Sequence, residues 1–147
     1  MKEFWNWLLS RKRIDKNGPV ESLGLLILRI WIGLMMALGH GLGKLTAFGE
    51  RAANFPDPIG VGSPLSLSLA VFAVFFCSLA LVLGLFTRAA VVPLIITMLV
   101  AALVIHADDP WRRKELAVAF LAPFIALYFT GPGKYSLDRY LNARIGK

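Results

Sequence analysis

Five ionisable side chains stand out because they lie within or beside long apolar runs: Arg29, His40, Lys44, His106 and Glu115. A cation placed in hydrocarbon costs at least about 2.5 kcal/mol even on lenient insertion scales, so Arg29 needs a partner. It sits seven residues into the run from Ser22 to Lys44, roughly 10 Å deep at about 1.5 Å per residue. Two roles suit it there. It can bond backbone carbonyls or a lipid phosphate, or it can grip an anionic or quinone-like ligand between helices, with Lys44 and Glu115 as further ligand-binding candidates. His40 closes the first apolar run and His106 the third. Imidazole exchanges a proton near neutral pH, which makes both histidines candidates for a catalytic, proton-moving role. The plainer reading is an interfacial ring of polar groups shared with Lys44, Asp108, Asp109, Arg112, Arg113 and Glu115. A haem bracketed by the two histidines has no spacing motif behind it, and no metal site is expected.

Arg29, Gly33, Met36 and His40 recur at i, i+4, i+7 and i+11, which is one face of a helix. Gly33 and Ala37 form a small-xxx-small pair on the same helix, as do Ala80 and Gly84, and Ala122 and Ala126, in later runs. Such pairs allow close helix approach in lipid, so Arg29 and His40 are expected to face a bundle. Gly39-x-Gly41-x-Gly43 reads as a helix exit and not a phosphate cradle, because no strand precedes it. Cys77, the one cysteine of the chain, lies among apolar neighbours, where a thiol is inert packing. It permits no intrachain disulfide.

Positioning these residues requires helices, and the apolar runs supply them. The chain is 57% hydrophobic and 17% charged, against about a quarter charged in a soluble domain, and its charges cluster at the ends and in short connectors. The fold class read from this is all-α: a single membrane domain over residues 1–147, a polytopic four-transmembrane-helix bundle with spans at about 22–42, 64–86, 89–106 and 116–130. Pro93 and Pro123 fall inside the third and fourth, where neighbouring helices can re-satisfy the freed carbonyl. Thr87 and Arg88 alone separate the second and third spans, an antiparallel hairpin. Residues of about 1–18 read as an interfacial amphipathic helix, not a cleavable signal, and 134–147 as an interfacial tail folded back along the membrane surface. The connector from Leu45 to Ser63 is long for a bundle. It is expected to rest on the helices, with a lid as the alternative.

A net charge of +7 raises nucleic acid as a partner, but no soluble domain remains to carry a phosphate-binding patch. The basic residues instead suit anionic lipid, so the partner is a lipid bilayer. Ten Lys and Arg flank one side of the bundle and five the other. Positive-inside bias therefore puts both termini in the cytoplasm of a prokaryotic plasma (inner) membrane.

The chain resembles the DoxX family of small four-span prokaryotic membrane proteins. The resemblance is carried by LLILRIWIGLMMALGHGLGKL, by LGLFTRAA at the hairpin, by His106, and by ELAVAFLAPFIALYFTGPGKYSLDR, which together span about Leu25 to Tyr140. It implies a four-helix bundle linked to redox metabolism. The positions that match the family's polar marks are Arg29, His40, Lys44, Arg88, His106, Glu115 and Ser136-Leu137-Asp138, with Gly84, Arg88 and Asp138 as structural residues of the hairpin region. The family pattern often carries a glutamate in the second span where this chain has Val74, so the resemblance leaves Arg29 without its usual ion-pair partner. The function that follows is a redox-associated subunit or a bundle that binds a quinone or similar lipophilic ligand beside a membrane or periplasmic redox protein. The rival reading is a non-catalytic assembly factor or accessory subunit of a larger complex. A homo-oligomer is a further expected association, and a self-contained one that copurifies no partner would weigh against the accessory-subunit reading; no cofactor is specified by the residues. A small transporter ranks lower because no repeat relates the two halves.

Overall fold

The computed structural model describes residues 18–145. The interfacial helix expected over residues 1–18 lies outside them, apart from Gly18. Among the described residues the chain is helical with no strand, and six helical elements follow one another: α1 (Pro19–Thr46), α2 (Phe48–Arg51), α3 (Ser63–Leu83), α4 (Thr87–Ile105), α5 (Trp111–Thr130) and α6 (Leu137–Ile145).

The local chemistry of the boundaries is plain. Extended Gly18 and Pro19 open α1, the position where a missing N–H costs nothing. Pro64 does the same for α3. Gly84 ends α3 in the left-handed region at φ 67°, where a Cβ would be strained. The two hairpin spans therefore stop and start at Leu83 and Thr87, with Gly84-Leu85-Phe86 as the turn, not at Phe86 and Ala89. Arg88 belongs to the first turn of α4. The glycines Gly39, Gly41 and Gly43 do not terminate α1, which continues to Thr46. A Cβ on Gly41 would come within 2.8 Å of the Val74 carbonyl oxygen and 2.9 Å of Phe75 Cα. This glycine serves helix contact, not helix exit.

Consecutive helices pack as neighbours: α1 on α3, α3 on α4, α4 on α5, and α5 back on α1. The core they enclose contains Ile32, Met36, Val74, Leu81, Val91, Leu94, Met98, Phe120, Phe124 and Leu127. The outward faces are just as apolar, with Ile27, Trp31, Leu38, Phe72, Phe76, Ile96, Leu103 and Phe129 all exposed. A protein surrounded by water does not present such a continuous girdle, whereas lipid is a good solvent for it. Helices α1, α3 and α4 combine the length and hydropathy needed to cross a bilayer. Helix α5 has 20 residues, but Arg112, Arg113 and Lys114 in its first turn and Glu115 just after it shorten its apolar part. Ala122 and Ala126 on α5 are exposed, so that small-residue pair is not used inside the bundle.

Three segments of the spanning helices widen from α- to π-geometry: Ala37–Gly41 in α1, Phe72–Cys77 in α3 and Ala101–Ile105 in α4. The amide of His106 donates to Ala101 O at 3.0 Å, and that of Leu42 donates to Ala37 O, both five residues back. Each widened turn holds an extra residue and disturbs regular packing on one side.

Candidate functional site

The three π segments meet around one cavity. It has a volume of about 580 Å³ and lies at the end of the bundle carrying the 45–62 and 106–110 connectors, the loop end. Its walls are apolar, built from Met36, Phe72, Ala73, Val74, Met98, Ala101 and Phe120 among others. His40, Lys44, Ser66, Thr97, His106 and Arg113 supply the polar part of the lining. Phe55, Pro56 and Pro58 of the long connector also line it. That connector does more than rest on the helices: it covers the cavity. The Asp57 carboxylate holds it there, accepting from Val61 N at 3.0 Å, Gly62 N at 2.7 Å and Ser66 Oγ at 2.7 Å. These donors, Ser66 foremost, keep the Asp57 carboxyl below its ordinary range.

The two histidines that end separate apolar runs are brought to the same cavity. His40 is half-buried and meets Phe120 edge-on, ring centroids 5.8 Å apart. Lys44 Nζ donates to the His40 carbonyl at 2.9 Å. His106 Nδ1 lies 2.6 Å from Asp109 Oδ2, and Asp109 Oδ1 accepts from Arg113 Nη1 at 3.2 Å. The hydrogen bond with His106 and the Arg113 charge hold the Asp109 carboxyl low. Asp109 was one member of an interfacial ring in the sequence, and the i, i+3 spacing from His106 was its one signal as a partner. Glu115 is exposed and does not line the cavity.

Arg29 is elsewhere. It is fully buried near the opposite, hairpin end, where Nη2 donates to Tyr135 O at 2.5 Å and Nη1 to Leu81 O at 3.5 Å. Of its two sequence roles, the structure places it on backbone carbonyls and outside the cavity lining. The segment from Gly131 to Asp138 comes to the arginine, not the arginine to the surface. Lys134 N donates to Ser22 Oγ at 3.1 Å and Asp138 N to Gly84 O at 2.9 Å. The buried Asp138 carboxylate accepts from Phe86 N at 2.7 Å and Thr87 N at 3.1 Å. It thereby caps α4 from a distant part of the chain and stabilises Phe86, whose φ is +46°. Burial raises the Asp138 carboxyl, and the Thr87 and Phe86 hydrogen bonds and the charge of Arg29 act in the other direction. An acidic neighbour for Arg29 therefore exists, supplied by the tail and not by the second span. Gly84 makes room for the arginine and for Ser136 of the tail: a Cβ there would collide with Arg29 Nη1 and Ser136 Cβ.

Among the described residues no group of three or more His, Cys, Asp or Glu side chains is placed to hold a metal ion. Cys77 is buried, free and outside the cavity lining.

The family model for DoxX matches residues 24–107, more than half the chain. The chain belongs to the DoxX family. The match takes in α1, α3 and α4, and with them Arg29, His40, Lys44, Gly84, Arg88 and His106, whereas Glu115 and Asp138 lie beyond it. The inner membrane protein YqjF of Escherichia coli (strain K12) is 28% identical over 131 residues, covering 85% of this chain and 97% of its own. The uncharacterized membrane protein Rv3486 of Mycobacterium tuberculosis (strain ATCC 25618 / H37Rv) is 29% identical over 155 residues, covering 89% of this chain and 87% of its own. No solved structure matches. Family membership and the apolar girdle together make the chain an integral membrane protein.

Proposed function

We propose that this DoxX-type chain binds a quinone, or a similar small lipophilic redox molecule, in the loop-end cavity and works beside a membrane or periplasmic redox protein. The observation that carries the reading is the cavity: about 580 Å³, apolar walls, and the His106–Asp109 pair at its polar end. Ligand pockets typically occupy about 300–1,000 Å³, mostly apolar with a few convergent polar groups. Its walls are formed where three helices depart from α-geometry, a distortion frequent at functional sites.

In the tautomer that donates Nδ1–H to Asp109, Nε2 of His106 is an acceptor. A quinol hydroxyl placed there gives its proton to Nε2, and Lys44 offsets the charge left on the oxygen. Complete oxidation releases two protons and two electrons. The protons leave by way of His106 and His40, and the electrons pass to a flavin, haem or iron–sulfur centre of the partner. In this reading α5 is a fourth span. The loop end faces outward and both termini face the cytoplasm, the orientation that the Lys and Arg excess of the sequence favours.

Equilibrium dialysis of menadione against the detergent-purified chain tests this. Saturable binding, weakened by Met36→Trp, which fills the cavity, is the expected result. Partition into detergent alone, unaltered by Met36→Trp, would overturn it. The rival reading, an accessory subunit without chemistry, is favoured by the exposed Ala122 and Ala126 of α5, a small-residue face open to another helix. Recovery of a larger complex from native membranes, with no menadione binding, would favour that reading.

A further inference from the structure

The cavity is longer than a quinone ring needs. On α4 its lining runs from Ile105 down through Ala101, Thr97 and Ile96 to Pro93, about 18 Å at 1.5 Å per residue. A ring held by His106 and Lys44 fills only the polar end and leaves empty the deeper part, which is apolar apart from Thr97, whose hydroxyl donates to Pro93 O.

That deeper part is not sealed. Leu69, Phe72 and Ile96 line the cavity and are also about half exposed, at 47%, 53% and 54%. Phe72 lies nine residues below Ser63, and Ile96 nine residues above Ile105 in the chain, so both stand about 13 Å beneath the loop end. At that depth the surface of the protein faces hydrocarbon, not water. The packing of the hairpin explains the gap. Towards its turn, α3 is in contact with α4 from Phe72 to Leu83. Above Phe72, the Ser63–Val71 part of α3 packs on Leu42–Thr46 of α1 instead, and the two hairpin helices separate. On the aqueous side, by contrast, Phe55, Pro56 and Pro58 overlie the cavity and Asp57 fixes them.

We infer that the ligand carries a hydrocarbon tail which leaves the cavity through the seam between α3 and α4, past Phe72 and Ile96, into the lipid leaflet on the loop side. This rests on the quinone reading and adds to it the class of molecule, a tailed and membrane-resident one, and its route of access. The polar head sits at His40, Lys44 and His106. The tail lies along Leu69, Phe72, Ile96 and Val100.

The test compares menadione, which has no tail, with menaquinone-4, which has one, on the full chain in detergent. Ile96→Trp narrows the seam, and Leu103→Trp, on an exposed face outside the lining, is the control. Menaquinone-4 is expected to bind the wild type at least tenfold more tightly than menadione. Ile96→Trp is expected to remove most of that gain while leaving menadione within about twofold, and Leu103→Trp to change neither. Leu69→Trp gives a second narrowing variant should Ile96→Trp fail to fold. Equal binding of the two probes, with both insensitive to Ile96→Trp and Leu69→Trp, overturns the tail route and leaves the head site standing. Failure of the wild type to bind either probe overturns the quinone reading itself. A phospholipid that copurifies and is not displaced by menaquinone-4 overturns the assignment of the tail to a quinone.

Discussion

Replacing Arg29 by methionine keeps the length of the side chain and deletes its charge and donors. Tyr135 O and Leu81 O lose their guanidinium partner, the Leu81 contact buried and the Tyr135 contact partly so. An orphaned buried acceptor costs about 1–3 kcal/mol. The 3.5 Å contact to Leu81 O is at the limit of hydrogen-bond geometry, so Tyr135 O dominates. The variant also leaves the buried Asp138 carboxylate without a nearby cation. Breaking a contacting buried pair costs about 3–5 kcal/mol, and this pair interacts through space without a direct bond, so it falls below that range. Together the expected loss is about 3 kcal/mol. Unfolding by sodium dodecyl sulfate in mixed micelles, followed by far-ultraviolet circular dichroism, measures it. Trypsin cleavage after Lys134 should quicken in step, because the tail is released. Asp138→Asn on its own should cost a similar amount. The double variant should lose about 1–2 kcal/mol less than the sum, since each single change strands the other's charge. Strict additivity, or an Arg29→Met variant as stable as wild type, would refute the argument that these two groups hold the tail to the bundle.

Three further outcomes concern the hairpin glycine and the two carboxylates of the loop end. Gly84→Ala should destabilise by about 3 kcal/mol in the same unfolding assay, combining a left-handed backbone penalty of about 1–2 kcal/mol with displacement of Arg29 and Ser136. Asp57, held below its ordinary value of 3.8, favours the folded loop at pH values above 3.8 and loses that contribution as pH falls through its lower folded value. The protection factors of the Val61 and Gly62 amides, which remove the intrinsic pH dependence of exchange, should therefore fall on acidification through that range, and Asp57→Asn should weaken that pH response. Asp109→Asn removes the partner that orients His106 and should weaken menadione binding by about three- to tenfold, whereas Asp108→Asn should leave binding unchanged in the same dialysis experiment.

The apolar runs and their lengths were legible in the sequence because a bilayer imposes one strong requirement, a helix of about 20 apolar residues. The inward face of α1 was legible for the same reason. Arg29, Gly33 and Met36 follow the helical period, and all three are buried. The exit at Gly39–Gly43 was misjudged because glycine signals an ending in water but is tolerated in a membrane helix, where Gly41 serves close packing. The hairpin boundary was off by about three residues because Gly84 stops α3 through its φ, which the apolar pattern does not register. The partner of Arg29 was sought within the spans. It came from Asp138 and Tyr135, more than 100 residues away in the chain, a contact that no local period encodes. The convergence of His40 and His106 required the register of two helices, and the π segments that shape the cavity between them leave no compositional trace.

If the cavity is the ligand site, a photoreactive quinone must label its walls. Photoaffinity labelling with an azidoquinone, followed by peptide mass spectrometry, tests this directly. Label confined to peptides bearing Met36–Lys44, Leu69–Val74 and Ile96–His106, and competed away by menaquinone-4, is the predicted result. Label spread over the outward faces of α1 and α5, at Trp31, Leu38 and Phe129, and indifferent to competitor, would contradict it.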